Sequence, residues 1–250
     1  MANLKSVVED RVGNLVVLDS IRFFKEEKEN DKNFIAILAS LADVYVNEAF
    51  GVAHREQASI TGVPRVMPSF AGLRLEAEVR TLSHIKDKAA YPLVCVLGGS
   101  KLGKLDYIEF LSSWADKLLV GGKLPTLIKE KKFEINKDKV VLAELTENGR
   151  DISTQSIENF KQEIKNAGSI FWAGPMGVYE EEENRRGTTE VVEFMSKMDL
   201  FKVAGGGDTH RVLSWLNCWD CFDFVSVGGG AALQFLKDKS LPGLEALNLS

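Results

Sequence analysis

The chain has no long apolar run. Its first ten residues, Met1-Ala-Asn-Leu-Lys-Ser-Val-Val-Glu-Asp10, lack the apolar centre of a signal peptide, and no stretch is long enough to cross a bilayer. A cytoplasmic location without membrane contact is the expectation. Basic residues are not in excess either: 31 Lys and Arg against 36 Asp and Glu give a formal net charge of −5, which argues against nucleic acid as the partner. Cysteine is scarce, with Cys95, Cys218 and Cys221 too few for a disulfide scaffold and consistent with a reducing compartment. Cys218-Trp-Asp-Cys221 has redox or half-zinc-site spacing. It lacks a second Cys pair, and His54, His84 and His210 show no ligand spacing with it, so the spacing reads as coincidence. Low-complexity linkers and heptads are missing too.

What remains is an ordinary globular composition, 250 residues long and 45% hydrophobic, enough for one large core or two smaller ones. Within it one unit recurs: a short apolar run that breaks into glycine. It is found in Leu93-Val-Cys-Val-Leu-Gly-Gly99, Lys117-Leu-Leu-Val-Gly-Gly122, Ile170-Phe-Trp-Ala-Gly174, Phe201-Lys-Val-Ala-Gly-Gly-Gly-Asp-Thr209 and Phe224-Val-Ser-Val-Gly-Gly-Gly230. Any single Gly-Gly can simply close a strand-to-helix turn. Five together predict an α/β fold with a parallel sheet, whose ligands bind beyond the carboxyl ends of the strands. The amides freed at those glycine turns and helix starts suit phosphate.

Helices are expected at 103–115, 154–166 and 187–197, and another after Asp31, which stands as an N-cap before Phe34, Ile35, Ile37, Leu38 and Leu41. Residues 14–19 read as a buried strand and Asp43–Asn47 as a second. Ala71–Leu82 reads as a polar-faced connecting helix. Arg22 and Arg55 each follow a strand. If those strands are neighbours, the two guanidiniums can converge on one anion; otherwise each is a surface arginine paired with an acid such as Glu26 or Glu56.

Gly98-Gly-Ser-Lys-Leu-Gly-Lys104 has the spacing of a phosphate loop but is followed by Leu105, where that motif needs a Mg²⁺-binding hydroxyl. G-x-G-x-x-G does not occur at any of the turns, which sets aside a dinucleotide site. Five blocks in order carry a different likeness: Leu38-Ala-Ser-Leu-Ala-Asp-Val-Tyr-Val-Asn-Glu-Ala-Phe-Gly-Val-Ala-His-Arg55, Leu97-Gly-Gly-Ser-Lys101, Trp172-Ala-Gly-Pro-Met-Gly-Val-Tyr-Glu180, Gly205-Gly-Gly-Asp-Thr209 and Gly228-Gly-Gly-Ala231. On these blocks, from Leu18 to Leu247, the chain resembles the phosphoglycerate kinase family.

The resemblance implies a truncated form of a two-domain, Rossmann-like fold. Residues 1–70 would be the remnant of an N-terminal substrate domain, 71–84 a hinge helix, 85–235 the nucleotide-binding domain, and 236–250 a segment returning to the first domain. It implies phosphoryl transfer between 1,3-bisphosphoglycerate and ADP in glycolysis, with Mg²⁺, ATP or ADP and 3-phosphoglycerate as the small-molecule partners. By motif, Arg22 and Arg55 resemble arginines that hold the phosphoglycerate, and Lys101 the lysine on nucleotide phosphate. Gly149 and Glu180 match positions at adenine and ribose. Gly206, Gly207, Asp208 and Thr209 match the turn at the nucleotide phosphates, with Asp208 at the metal. Lys104, Gly229 and Gly230 match the groups that stabilise the transferring phosphoryl, a transfer that runs on positioned cations and amides and needs no general base.

The likeness is incomplete. The family's opening D-x-N contact and H-x-x-R pair have no counterpart before Leu18, and the stretch from Gly122 to Ala173 is shorter than its equivalent, which predicts lost sheet and an unpaired edge. Lys101 and Lys104 are three apart where the family spaces them four apart, a helical rotation of about 100°. Two alternatives therefore stand beside the active kinase: a non-catalytic nucleotide-binding or interaction protein, and a fragment that needs a separate N-terminal partner chain.

Overall fold

A computed structural model describes residues 8–12, 15–18 and 20–248. The chain divides into two units, Met1–Glu76 with Ser240–Ser250 and Ala77–Lys239, and the boundary falls inside a helix.

In the first unit β1 (Val8–Val12) pairs antiparallel with β2 (Leu15–Leu18). The expected buried strand over 14–19 is corrected here: Asn14 and Asp19 lie outside the described residues, and Val17 is 41% exposed, so the run is one arm of an open hairpin. The 3₁₀ turn Ile21–Phe23 leads into α1 (Lys25–Lys28), whose buried Glu27 accepts from the amide and hydroxyl of Ser59. Helix α2 (Lys32–Ala39) starts where the sequence expects, because the Asp31 carboxylate accepts from the amides of Asn33 and Phe34 at 2.9 Å. Its Phe34 packs against Ala58. Strand β3 (Tyr45–Asn47) pairs parallel with β4 (Ser69–Ala71). The Glu48 carboxylate then caps α3 (Leu73–Lys88), accepting from the amides of Arg74 and Leu75.

In the second unit strands and helices alternate strictly. They are β5 (Leu93–Leu97), α4 (Ile108–Trp114), β6 (Lys117–Val120), α5 (Leu124–Glu130), β7 (Val140–Leu142), α6 (Thr154–Lys165), β8 (Ser169–Ala173), α7 (Arg186–Ser196), β9 (Phe201–Gly205), α8 (Gly207–Trp215), β10 (Phe224–Ser226) and α9 (Gly229–Asp238). Every residue of β5 and of β8 is buried, as expected of parallel strands covered by helices on both faces. Ile157, Phe160 and Ile164 form the buried stripe of α6, and Val191, Val192 and Met195 that of α7. The expected helix at 103–115 begins instead as a 3₁₀ segment, Leu102–Tyr107. The last helix, α10 (Pro242–Glu245), belongs to the first unit, where the Gly243 amide donates to the Ala53 carbonyl at 2.8 Å.

The sheet runs β10-β9-β8-β5-β6-β7, all parallel. Counted from β5 this is the strand order of doubly wound nucleotide-binding folds, and the direction of winding reverses between β5 and β8. Within the short 122–173 stretch the structure places β7, which the sequence reading did not foresee and which forms one edge of the sheet. A second correction concerns sulfur. Cys218 and Cys221 are joined as a disulfide, and Cys95 is buried and free. No helix of the described residues is long and apolar enough to cross a membrane.

Candidate nucleotide site at the strand reversal

Where β5 and β8 part, a cavity of about 790 Å³ opens at their carboxyl ends, a size suited to a ligand as large as a nucleotide. Gly99, Lys101, Gly122, Gly149, Glu180 and Asp208 are on its wall. The loops that frame it are stitched to one another through the backbone. The Gly99 amide donates to the Pro175 carbonyl (2.7 Å), Gly122 to Met176 (2.8 Å), Lys123 to Gly99 (2.9 Å) and Gly98 to Ala173 (3.0 Å). The expectation that all five glycine turns offer free amides to a phosphate is thereby corrected, because those after β5 and β6 are already paired. Gly122 shows why glycine is required there: its φ is +61°, and an added Cβ would run into the backbone nitrogen and oxygen of Gly99.

The open amides lie at two other turns. Helices α8 and α9 start without a side-chain cap, after Gly206 and Gly228, and their first-turn N–H groups have no intrahelical partner. The two starts adjoin: an added Cβ on Gly229 would come within 2.8 Å of the Gly206 Cα. Gly207 and Gly230 have open space where a Cβ would stand. Two helix N-termini side by side concentrate positive potential. Asp208 sits beside them in the first turn of α8, its side chain 40% exposed and 3.8 Å from Arg211 Nη1.

Thr209 plays a different part from its neighbours. Fully buried, its hydroxyl donates to the Gly205 carbonyl and accepts from the Gly174 amide, both at 2.9 Å, so it fastens the β9–α8 turn to the β8 loop. Lys104 is likewise engaged: its ammonium donates to the carbonyls of Gly98 (2.6 Å) and Ala173 (2.9 Å), between the ends of β5 and β8. Burial pushes it down to about 8 against the pull of Asp208, with Lys101 adding to the fall. Lys101 itself is exposed on the cavity wall.

At the far side Gly149 turns with φ +68°, and the Val178 amide donates to the Arg150 carbonyl at 2.8 Å, which brings Tyr179 and Glu180 to the cavity. Arg150 is ion-paired with Glu181. Burial raises the Tyr179 phenol. Lys123, Thr126 and Tyr179 line the cavity without having been picked out from the sequence. Lys123 was findable, since it follows the second glycine after β6.

Arg22 and Arg55 are both in the first unit. Arg22 is exposed in the 3₁₀ turn Ile21–Phe23, and Arg55 is half-buried after the turn Phe50–Val52. Strands β2 and β3 lie in separate sheets, so no shared sheet brings the two together. Among the described residues neither forms an ion pair with Glu26 or Glu56.

Among the described residues there is no group of three or more His, Cys, Asp or Glu that could hold a metal by itself. A lone, accessible carboxylate at Asp208 suits Mg²⁺, which binds through one or two carboxylates and takes its other ligands from phosphate and water.

Comparison with known proteins gives the family and the fold. Residues 2–148 and 130–239 match the family model described as phosphoglycerate kinase. The phosphoglycerate kinase of Dictyoglomus turgidum is 34% identical over 283 residues, covering 94% of this chain and 72% of that protein. That of Salinibacter ruber is 37% identical over 282 residues, covering 94% and 71%. Both aligned stretches exceed the 250 residues of the chain, so the relatives carry segments without a counterpart here. The crystal structure of phosphoglycerate kinase from Pyrococcus horikoshii OT3 superposes with a TM-score of 0.82 at 27% identity, over 98% of this chain and 75% of that one. The enzyme from Coxiella burnetii gives 0.74 at 30% identity, over 91% and 71%. With a cavity at the strand reversal, two uncapped helix starts after β9 and β10, and relatives matched along nearly its whole length, the chain belongs to the phosphoglycerate kinase family of phosphotransferases.

Proposed function

We propose that this kinase moves a phosphoryl group between 1,3-bisphosphoglycerate and ADP, a step of glycolysis in the cytoplasm, with the Mg-nucleotide in the cavity at the β5–β8 reversal. The observation that carries the reading is the meeting of the α8 and α9 starts at Gly206 and Gly229 beside Asp208. The turn at Gly206 presents the amides of Gly207 and Asp208 to the nucleotide phosphates, and Lys101 reaches them from the cavity wall. Gly149 and Glu180 take adenine and ribose. Asp208 holds Mg²⁺, which when bound neutralises charge on the phosphate oxygens. The amides of Gly229 and Gly230 hold the oxygens of the transferring group, while Lys104, behind the loops, supplies positive potential. Thr209 acts by fixing the turn. Arg22 and Arg55 take the acid substrate in the first unit.

Calorimetry with MgADP tests the nucleotide half. Asp208→Ala is expected to bind MgADP at least about tenfold more weakly, a loss of roughly 1.4 kcal/mol, and ADP without Mg²⁺ as well as the parent protein does. Equal MgADP affinity in the two proteins would sink the assignment. The commitment of the Lys104 ammonium to two carbonyls favours a second reading, nucleotide binding without turnover. A coupled ATP-consumption assay on 3-phosphoglycerate separates the two.

A further inference from the structure

At the end of α8 remote from its glycine turn lies a group of side chains that phosphoryl transfer does not use. Cys218 and Cys221 are bridged across the 3₁₀ turn Trp219–Cys221. Cys218 is buried and Cys221 partly exposed, so Cys221 is the more accessible residue of the pair. Two of the chain's four tryptophans, Trp215 and Trp219, are close by in the chain and each 41% exposed, leaving an aromatic surface beside the bridge.

From the bridge a run of contacts leads back to the proposed phosphate turn. The Trp219 indole N–H donates to Ser214 Oγ at 3.1 Å, and its ring stands edge-on to His210, centroids 5.1 Å apart. His210 Nε2 lies 2.8 Å from the Ser226 carbonyl. That same carbonyl accepts from the Gly206 amide at 3.3 Å, and the Ser226 hydroxyl accepts from the Gly228 amide at 3.3 Å. Ser226 thus touches the residues that precede both α8 and α9. The bridge restrains the turn that carries Trp219, and Trp219 in turn backs His210.

We infer that Cys218–Cys221 is a dithiol–disulfide exchange site, open to a partner bearing a vicinal dithiol, and that its oxidation state sets the order of the Gly206–His210 turn. In the exchange, a partner thiolate attacks Cys221 Sγ, the bridge opens, and Cys218 leaves as a thiolate that takes up a proton. The second partner thiolate then attacks the partner's own sulfur in the mixed disulfide, releasing Cys221, which is protonated in turn. Two electrons pass to the cysteine pair, and the partner departs as a disulfide. The consequence for nucleotide rests on the function proposed above; the exchange itself and the ordering of the turn do not.

Dithiothreitol serves as the probe. Maleimide labelling before and after its addition is expected to show two new labels, at Cys218 and Cys221. Hydrogen exchange at residues 206–210 should quicken on reduction. MgADP should bind about fivefold more weakly, toward the low end of site-to-site coupling. His210→Ala should accept the same labels yet lose the difference in exchange between the two states. A Cys218→Ser/Cys221→Ser variant should match the reduced protein whether or not dithiothreitol is present. Labelling of both cysteines without reductant, or identical exchange at 206–210 in both states, overturns the inference. If MgADP binds to neither state while the exchange difference persists, the nucleotide assignment falls and the redox site stands.

Discussion

Two sets of glycines share one rim of one sheet and do opposite work. After β5 and β6, the amides of Gly99 and Gly122 donate to carbonyls of the loop after β8 and that of Gly98 to the last residue of β8, so glycine there allows backbone to approach backbone and fixes the frame of the cavity. Before and within the first turns of α8 and α9, Gly206, Gly207, Gly229 and Gly230 leave the helix starts uncapped. The first set makes a rigid wall by consuming its own hydrogen-bonding capacity, and the second keeps capacity for an anion. Phosphoryl transfer needs both, since donors aimed at a transition state act only if the frame around them does not yield.

The comparison breaks most visibly at Gly122. An alanine there must adopt φ near +61° and push its Cβ into the Gly99 backbone, which cannot swing aside as a side chain would. Gly122→Ala is expected to lose about 2–4 kcal/mol in urea denaturation, combining left-handed strain with overpacking. A loss below about 0.5 kcal/mol would mean that the stitched loops are not a rigid frame.

How much of this the sequence disclosed depends on the range of the interaction. All five glycine-ended strands are present within a residue of where they read, and Asp31 caps α2 as its position implies, because strand pattern and capping are local chemistry. The stripes at 157, 160 and 164 likewise announce α6. Strand β7 escaped notice because Val140-Val-Leu142 is too short for a pattern and ends in no glycine. Leu15–Leu18 misled in the other direction, since an apolar run reads the same in a hairpin arm as in a core strand. The site divided in the same manner. Asp208 and the glycines before α8 and α9 were legible as a motif, whereas the pairing of Gly99 with Pro175 and Gly122 with Met176 depends on loops more than fifty residues apart along the chain. Spacing alone likewise left open whether Cys218 and Cys221 were bridged.

Lys104 belongs to the stitched set, and pH sharpens its place there. Its ammonium lies between two strand-end carbonyls, and burial lowers its titration to about 8. The unfolded chain keeps the ordinary lysine value near 10.5 and so binds this proton more tightly than the folded protein does. The cost of burying the charge is therefore fully present below pH 8 and is relieved as pH rises from 8 toward 10.5. Ligand binding runs in the opposite sense. A nearby polyphosphate favours the charged lysine, so above pH 8 nucleotide binding must take up a proton, and affinity should fall by up to about tenfold per pH unit. Calorimetry of MgADP in buffers of different ionisation enthalpy should show that uptake between pH 8 and 9. In Lys104→Met the uptake should vanish. If it survives that substitution, the titrating group lies elsewhere.

The smallest effect belongs to the open set and tests whether its glycines are spare of packing. Gly207 is the first residue of α8, has no positive φ, and an added Cβ there meets nothing within 4 Å. Replacing it with alanine removes backbone freedom from the unfolded chain without asking any folded neighbour to move. Gly207→Ala should thus gain about 0.5 kcal/mol in the same urea titration that records a loss at Gly122. The sign carries the argument more than the size does. If alanine destabilises at both positions, the α8 start is packed as tightly as the β6 loop and has no room for phosphate. Opposite signs would mean that the space before α8 is left vacant by design of the backbone, at a part of the rim where an anion would find unpaired amides.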